Sequence, residues 1–271
     1  MKRARRVGSP SGIVTLTTDF GGSDGYVGAV KGVILARFRK AQLVDLAHDL
    51  APGDVRAASD VLARATPLFP PRSVHLAVVD PGVGTARRGL ALLHGGQLYV
   101  GPDNGIFAGV LAQPGAPLVW ALENWGLWRD AVSPVFHGRD VFGPVAAHLA
   151  GGGDPRDVGP AVEPASLARL ELAVAVSRGD ALEGEVVHVD RFGNLITNLT
   201  APEAAGAASV ELAGRRLPLS RTYGDAAPGA LVALVGSSGK IEIAANGASA
   251  AAALGAGAGL VVILRAPRES A

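Results

Sequence analysis

The chain of 271 residues is 48% hydrophobic, carries a formal net charge of +1 and contains no cysteine. That length allows one large domain or two ordinary ones with a substantial core, and the absence of thiols excludes disulfides, thiolate metal sites and a cysteine nucleophile. Scattered arginines at near-zero net charge give no footprint for nucleic acid or an anionic membrane, and no apolar stretch reaches bilayer-spanning length.

Residues 1–11 read as a basic tail without the apolar centre of a signal peptide, so the chain is taken as soluble and cytoplasmic. Ile13 to Thr18 reads as a buried strand that hands over at Asp19-Phe20-Gly21-Gly22-Ser23-Asp24 to a helix. Ser23 or Asp24 is expected to cap that helix, with Val27, Val30, Ile34 and Leu35 on one face. A second strand, Ala41 to Leu46, precedes a helix capped by Asp54 with Val55, Ala58, Val61 and Leu62 inside. Pro70 and Pro71 then stop the chain before a strand that ends at Asp80.

That strand runs into Asp80-Pro-Gly-Val-Gly-Thr-Ala-Arg87-Arg88. Pro81 fixes φ and Gly82 permits φ > 0, so a sharp turn is expected, with Arg87 folding back to face the Asp80 carboxylate. Taken alone the stretch reads first as a surface turn with a salt bridge, and second as part of a site, because ligands gather at strand ends in open α/β sheets. A hairpin around Gly95-Gly96 follows, then the turn Gly101-Pro-Asp-Asn-Gly105 into a helix with Ile106, Phe107, Val110 and Leu111. Phe136-His137-Gly-Arg-Asp140 opens another apolar helix, ended by Gly151-Gly152-Gly153.

Alternating β and α segments predict a mostly parallel sheet with helices on both faces. Beyond residue 180 the segments become short, alternating strands, which suits a small antiparallel sheet or barrel. The fold class expected is therefore α/β, with an N-terminal α/β domain over 12–177 and a C-terminal antiparallel β-barrel-like domain over 181–267. Asp19, Asp80 with Arg87, and Phe136-His137 stand out because each follows a buried run. A helix cap or a structural histidine accounts for them one at a time. Asp190-Arg-Phe192-Gly-Asn194 reads as a hairpin turn or as a recognition corner with an aromatic face. Gly236-Ser237-Ser238-Gly239 and Asn246-Gly247 are small enough to let a ligand approach the backbone.

Taken together and in order, TTDFGGSDGYVGAVKG, DPGVGTARR, PDNG, FHGRDVFGPVAAHLA and DRFGNLITN resemble the S-adenosylmethionine hydroxide adenosyltransferases, relatives of the fluorinase and chlorinase. The resemblance implies that water displaces L-methionine from C5′ of S-adenosyl-L-methionine to give adenosine, with no cofactor and no metal. It implies homotrimers whose sites lie between the N-terminal domain of one subunit and the C-terminal domain of its neighbour. It places Asp80, Arg87 and His137 in the catalytic role and Asp19 on the ribose. Phe136, Asp190, Phe192, Asn194, Tyr223, Ser237, Ser238, Asn246 and Gly247 fall on its substrate-binding positions. The halogenating relatives differ at Asp80, near Gly53, and at Ser238 and Ala245. Two other readings stay open. A calcium-dependent nucleoside hydrolase would need Asp19, Asp24, Asp49 and Asp103 to converge on a cation, and a non-catalytic binder of adenosine or S-adenosylmethionine would use the same pocket.

Overall fold

The computed structural model describes residues 10–179 and 181–266; the first nine residues of the basic stretch, Asp180 and residues 267–271 lie outside the described residues. The chain divides into two compact units, Met1–Leu172 and Ala173–Ala271. Among the described residues no helix is long and apolar enough to cross a membrane.

The first unit is built on a six-stranded sheet. Its strands are β1 (Ile13–Thr18), β2 (Gln42–Ala47), β3 (Val74–Val78), β4 (Gly89–His94), β5 (Gln97–Pro102) and β6 (Leu118–Ala121), in the order β2-β1-β3-β5-β4-β6. β2, β1, β3 and β5 run parallel, while β4 pairs antiparallel with β5 and β6. Helices α1 (Tyr26–Arg37) and α4 (Gly143–Ala150) pack on one face, and α2 (Val55–Ala65) and α3 (Ala108–Leu111) on the other. In β3 the period of two sends Val74, Leu76 and Val78 to the first core and Ala77 to the second, so the strand is buried on both faces.

Local signals set several boundaries as the sequence suggests. Asp54 Oδ1 accepts from the Ala57 amide at 2.8 Å and caps α2. α1 departs from expectation: neither Ser23 nor Asp24 caps it. Gly25, in the left-handed region at φ 74°, precedes its first turn without a side-chain cap. Only Val30 and Ile34 of the expected face are fully buried, and Leu35 is exposed.

The second unit is a closed barrel of seven strands: β8 (Ala181–Val189), β9 (Leu195–Thr200), β10 (Ser209–Leu212), β11 (Arg215–Ser220), β12 (Leu231–Val235), β13 (Lys240–Ala245) and β14 (Val261–Arg265). The ring runs β14-β10-β11-β12-β13-β9-β8 and closes through β14–β8; β7 (Val176–Arg178) adds to β8 outside it. Every pairing is antiparallel except β11–β12, which is parallel because the chain crosses over through residues 221–230. A short helix, α5 (Ala250–Leu254), lies inside an Ala/Gly-rich stretch from Gly247 to Gly259.

His75 on β3 shows what the first core demands of a polar residue. It is 0% exposed, lies near Phe69 and Tyr99 with ring centroids at 5.6 and 5.1 Å, and Nδ1 is 2.8 Å from Thr15 Oγ1. Burial lowers its pKa to about 4, against an opposing influence of Gln97. The unfolded chain binds this proton near the ordinary value of 6.5 and the folded chain only near 4, so its share of stability is complete above 6.5 and drains away as pH falls from 6.5 to about 4. Denaturation across that window should therefore show a steeper loss of stability in the wild type than in His75→Phe; parallel curves would contradict the assignment.

Candidate active site

Two parallel neighbours, β1 and β3, deliver their C-terminal carboxylates to the same sheet edge. Thr18 is paired with Val78, so Asp19 and Asp80 both emerge within two residues of the end of the ladder. From β1 the chain moves to β2 on one flank and then returns to β3 on the other, which makes this gap the topological switch point where open α/β sheets bind ligands.

Arg87 folds back onto Asp80. Its Nε donates to Asp80 Oδ1 at 2.8 Å and its Nη2 to Oδ2, a bidentate pair whose side chains are 11% and 5% exposed. The turn between them closes through Val83 N to Asp80 O at 3.1 Å and Thr85 Oγ1 to Gly82 O at 2.7 Å. Its left-handed residue is Gly84, at φ 79°, and not Gly82 as expected. A Cβ on Gly84 would also stand 2.7 Å from the Pro134 carbonyl oxygen, so only glycine lets the turn meet the 133–136 segment this closely.

His137 enters from that segment at the start of a π-helical turn, Gly138–Phe142, that leads into α4. Arg87 Nη2 lies 3.0 Å from His137 Nδ1. A guanidinium has only N–H donors, so Nδ1 must accept and the ring hydrogen of the neutral imidazole sits on Nε2. Burial and the neighbouring Arg87 charge lower the His137 pKa, against the opposing pull of Asp80 and Asp140. Phe142 supports both partners, with its ring 5.1 Å from the Arg87 guanidinium carbon and edge-on to the imidazole at 6.4 Å.

Asp19 Oδ2 accepts from Gly53 N at 2.8 Å, and among the described residues its Oδ1 makes no hydrogen bond. Phe20, Tyr26 and Phe136 form an edge-to-face trio with centroids 5.4–6.1 Å apart. Arg88 is engaged elsewhere: Nε donates to Asp103 Oδ2 at 2.8 Å and Nη2 to Ser166 O at 2.7 Å. Asp103 Oδ1 accepts from Ala168 N at 2.9 Å. Among the described residues no three histidines or carboxylates group as cation ligands, so the aspartates a calcium site would need do not converge.

In the barrel unit a cavity of about 650 Å³ is lined by Phe192, Asn194, Tyr223, Ala245, Gly247 and Ala248. Asp190 is committed to building its rim. Its Oδ1 accepts from the Phe192 and Asn194 amides at 2.9 and 2.8 Å, and its Oδ2 from Asn194 Nδ2 at 2.9 Å. Gly193, at φ 82° with Ser249 Oγ only 2.0 Å from where a Cβ would be, lets the turn close and leaves Phe192 78% exposed. Asn246 Nδ2 donates to Ala226 O at 2.8 Å and holds the loop that carries Tyr223. Ser237 and Ser238 sit exposed in the β12–β13 turn and do not line the cavity.

Sequence reasoning missed Phe142, Asp140 and Glu242. Glu242 is 6% exposed and accepts from the Tyr223 hydroxyl, a bond that pushes the Tyr223 pKa up to about 12. The alternation Ile241-Glu242-Ile243 puts Glu242 on the face away from the barrel core, and only the tertiary fold reveals that this face is covered.

Comparison with known proteins follows the same division. Residues 14–159 match the SAM hydroxide adenosyltransferase N-terminal domain and residues 184–263 the C-terminal domain. The chain belongs to this family. It is 46% identical to the (R)-S-adenosyl-L-methionine hydrolase of Thermus thermophilus over 93% of this chain and 98% of that protein. A conserved protein of Thermotoga maritima, 34% identical, superposes with a TM-score of 0.87 over 93% of this chain and 99% of its own. A fluorinase of Actinoplanes is 28% identical over 92% and 96% of the two chains.

The geometry at His137 makes a prediction independent of turnover. Its imidazole should titrate below the ordinary 6.5, and Arg87→Gln should raise the midpoint by removing the nearby positive charge. NMR titration of the His137 ring, assigned with His137→Gln, measures both. A wild-type midpoint at or above 6.5 would contradict the arrangement.

Proposed function

We propose that this chain hydrolyses S-adenosyl-L-methionine to adenosine and L-methionine by in-line attack of water on C5′. The observation that carries the reading is the Asp80 carboxylate held bidentate by Arg87, with His137 on the same guanidinium, at the switch point of the sheet. The substrate brings its own leaving group. As the water oxygen bonds to C5′, the C5′–S pair returns to sulfur and the sulfonium becomes the neutral thioether of methionine. No acid is required for departure, and the one proton released must leave the water.

Asp80 is the group that takes it. Each of its oxygens bonded to Arg87 keeps a further lone pair for a water hydrogen. His137 has its Nδ1 lone pair committed to Arg87, so it presents Nε2–H as a donor that orients the water oxygen. Holding the oxygen in line at about 3–3.5 Å from carbon supplies much of the rate. A carboxylate at this position also disfavours a halide nucleophile through like-charge repulsion. The free Oδ1 of Asp19 suits a ribose hydroxyl, and the rings of Phe192 and Tyr223 suit the adenine faces.

On the precedent of its hydrolase relative we assign the (R)-sulfonium epimer as the preferred substrate. The two epimers present the same C5′ to water, so discrimination rests on how the methionine chain is held. Purified protein incubated with each epimer in ¹⁸O water should release adenosine labelled at O5′, faster from the (R) form. Unlabelled adenosine, or none, would overturn the reading. Asp80→Ala and His137→Ala should each lower turnover by roughly 10²–10⁴-fold, the range of general acid–base contributions, with ligand still bound. Asp19→Ala should raise KM.

The active assembly in this reading is a homotrimer in which the N-terminal unit of one subunit and the C-terminal unit of its neighbour share a site. Its support is the family resemblance. Light scattering should return three times the monomer mass. Co-expression of Asp80→Ala with Tyr223→Ala should restore part of the activity each lacks alone; no recovery would rule out shared sites.

A further inference from the structure

Asp140 has no part in the chemistry described above, yet it is fully buried and charged. Its carboxyl lies well below the usual range: burial opposes ionisation, and the donors of Arg139, Ser133 and Arg129 outweigh it. Oδ1 accepts from Arg129 Nη1 and Arg139 Nε, both at 2.7 Å. Oδ2 accepts from Arg139 Nη2 and from the Ser133 amide, both at 2.8 Å. The backbone adds Arg129 N to Asp140 O at 2.9 Å and Asp140 N to Phe136 O at 3.1 Å. The four lone-pair positions of the carboxylate are thus filled, and residues 129–139 are wound around it.

That segment carries Phe136 and His137 and meets the Asp80 turn where Pro134 lies against Gly84. The Arg139 guanidinium, clamped by Asp140, sits 4.8 Å from the Phe136 ring centre. A buried charge is a poor device for stability alone, because well-packed apolar groups serve as well or better. It is a good device for selecting one loop conformation. The π-helical turn that begins beside His137 points the same way, since such turns concentrate at functional sites.

We propose that Asp140 is a positioning residue for the hydrolysis, its carboxylate fixing the 129–139 segment so that His137 Nδ1 meets Arg87. The proposal rests on the function given above and is tested both with and without turnover. Asp140→Asn keeps the volume but replaces one acceptor oxygen with an N–H donor. Its kcat should fall by about tenfold or more while adenosine affinity, measured by calorimetry, stays within about twofold, the signature of lost transition-state placement. Arg129→Ala, which removes a single tie from a side chain 41% exposed, should fold normally and lose kcat to a smaller degree at unchanged KM. A crystal structure of Asp140→Asn should show the 3.0 Å contact between Arg87 Nη2 and His137 Nδ1 broken.

The inference is overturned if that contact persists, or if both variants turn over as fast as wild type. It is overturned equally if adenosine affinity falls in step with kcat. A wild-type protein that forms no adenosine refutes the proposed hydrolysis and leaves the crystallographic arm to decide the role of Asp140.

Discussion

The Asp80–Arg87 pair is the interaction on which the rest of the first unit's site depends. A carboxylate 5% exposed cannot stand unpaired, and removing its partner would cost roughly 3–5 kcal/mol through the uncompensated charge. Arg87 does more than neutralise. Its Nη2 reaches His137 as well as Asp80 and, being only a donor, dictates which imidazole nitrogen bears the hydrogen. Under the proposed hydrolysis, one guanidinium therefore sets two roles, with Asp80 as proton acceptor and His137 as neutral donor.

Backbone conditions make that pairing possible. The parallel ladder of β1 and β3 ends at the strand-order reversal, so Asp19 and Asp80 share one edge without any loop having to reach. Gly84 lets the turn approach Pro134, and Phe142 supports Arg87 and His137 from the start of α4. The two units differ as their architectures do. The doubly covered sheet supplies buried charge, while the barrel supplies an open cavity with an exposed aromatic at its rim. Asp190 illustrates how a polar residue can serve a site indirectly: its carboxylate is spent on the turn that presents Phe192 and Asn194.

Much of this was legible in the sequence where local chemistry and tertiary outcome coincide. Buried runs ending in a carboxylate located β1 and β3, Asp54 located the start of α2, and Gly95-Gly96 located the β4–β5 hairpin. Arg87 was readable as a partner for Asp80 because a Pro-Gly turn leaves it little else to face. The failures have physical causes. Gly25 displaced Ser23 and Asp24 at α1 because a left-handed glycine can enter a helix without a side-chain cap. β6 escaped because Leu118–Ala121 is only four residues long, and β11 carries a weak strand signal because Arg215–Ser220 contains Pro218 and two arginines. The parallel β11–β12 pair depends on a crossover that no local signal marks. No local signal marks Asp140 and Glu242 as buried, since their burial is created by residues elsewhere in the chain or wrapped back from the same loop.

The central claim is that Arg87 fixes the protonation pattern of the site. ¹⁵N NMR of the His137 side chain at neutral pH tests it most directly, because it reports which ring nitrogen carries a bound hydrogen. A single neutral tautomer is expected, protonated at Nε2 and bare at Nδ1. A hydrogen on Nδ1 would contradict it, since Arg87 could then not donate to that nitrogen and His137, not Asp80, would be free to take the proton from water.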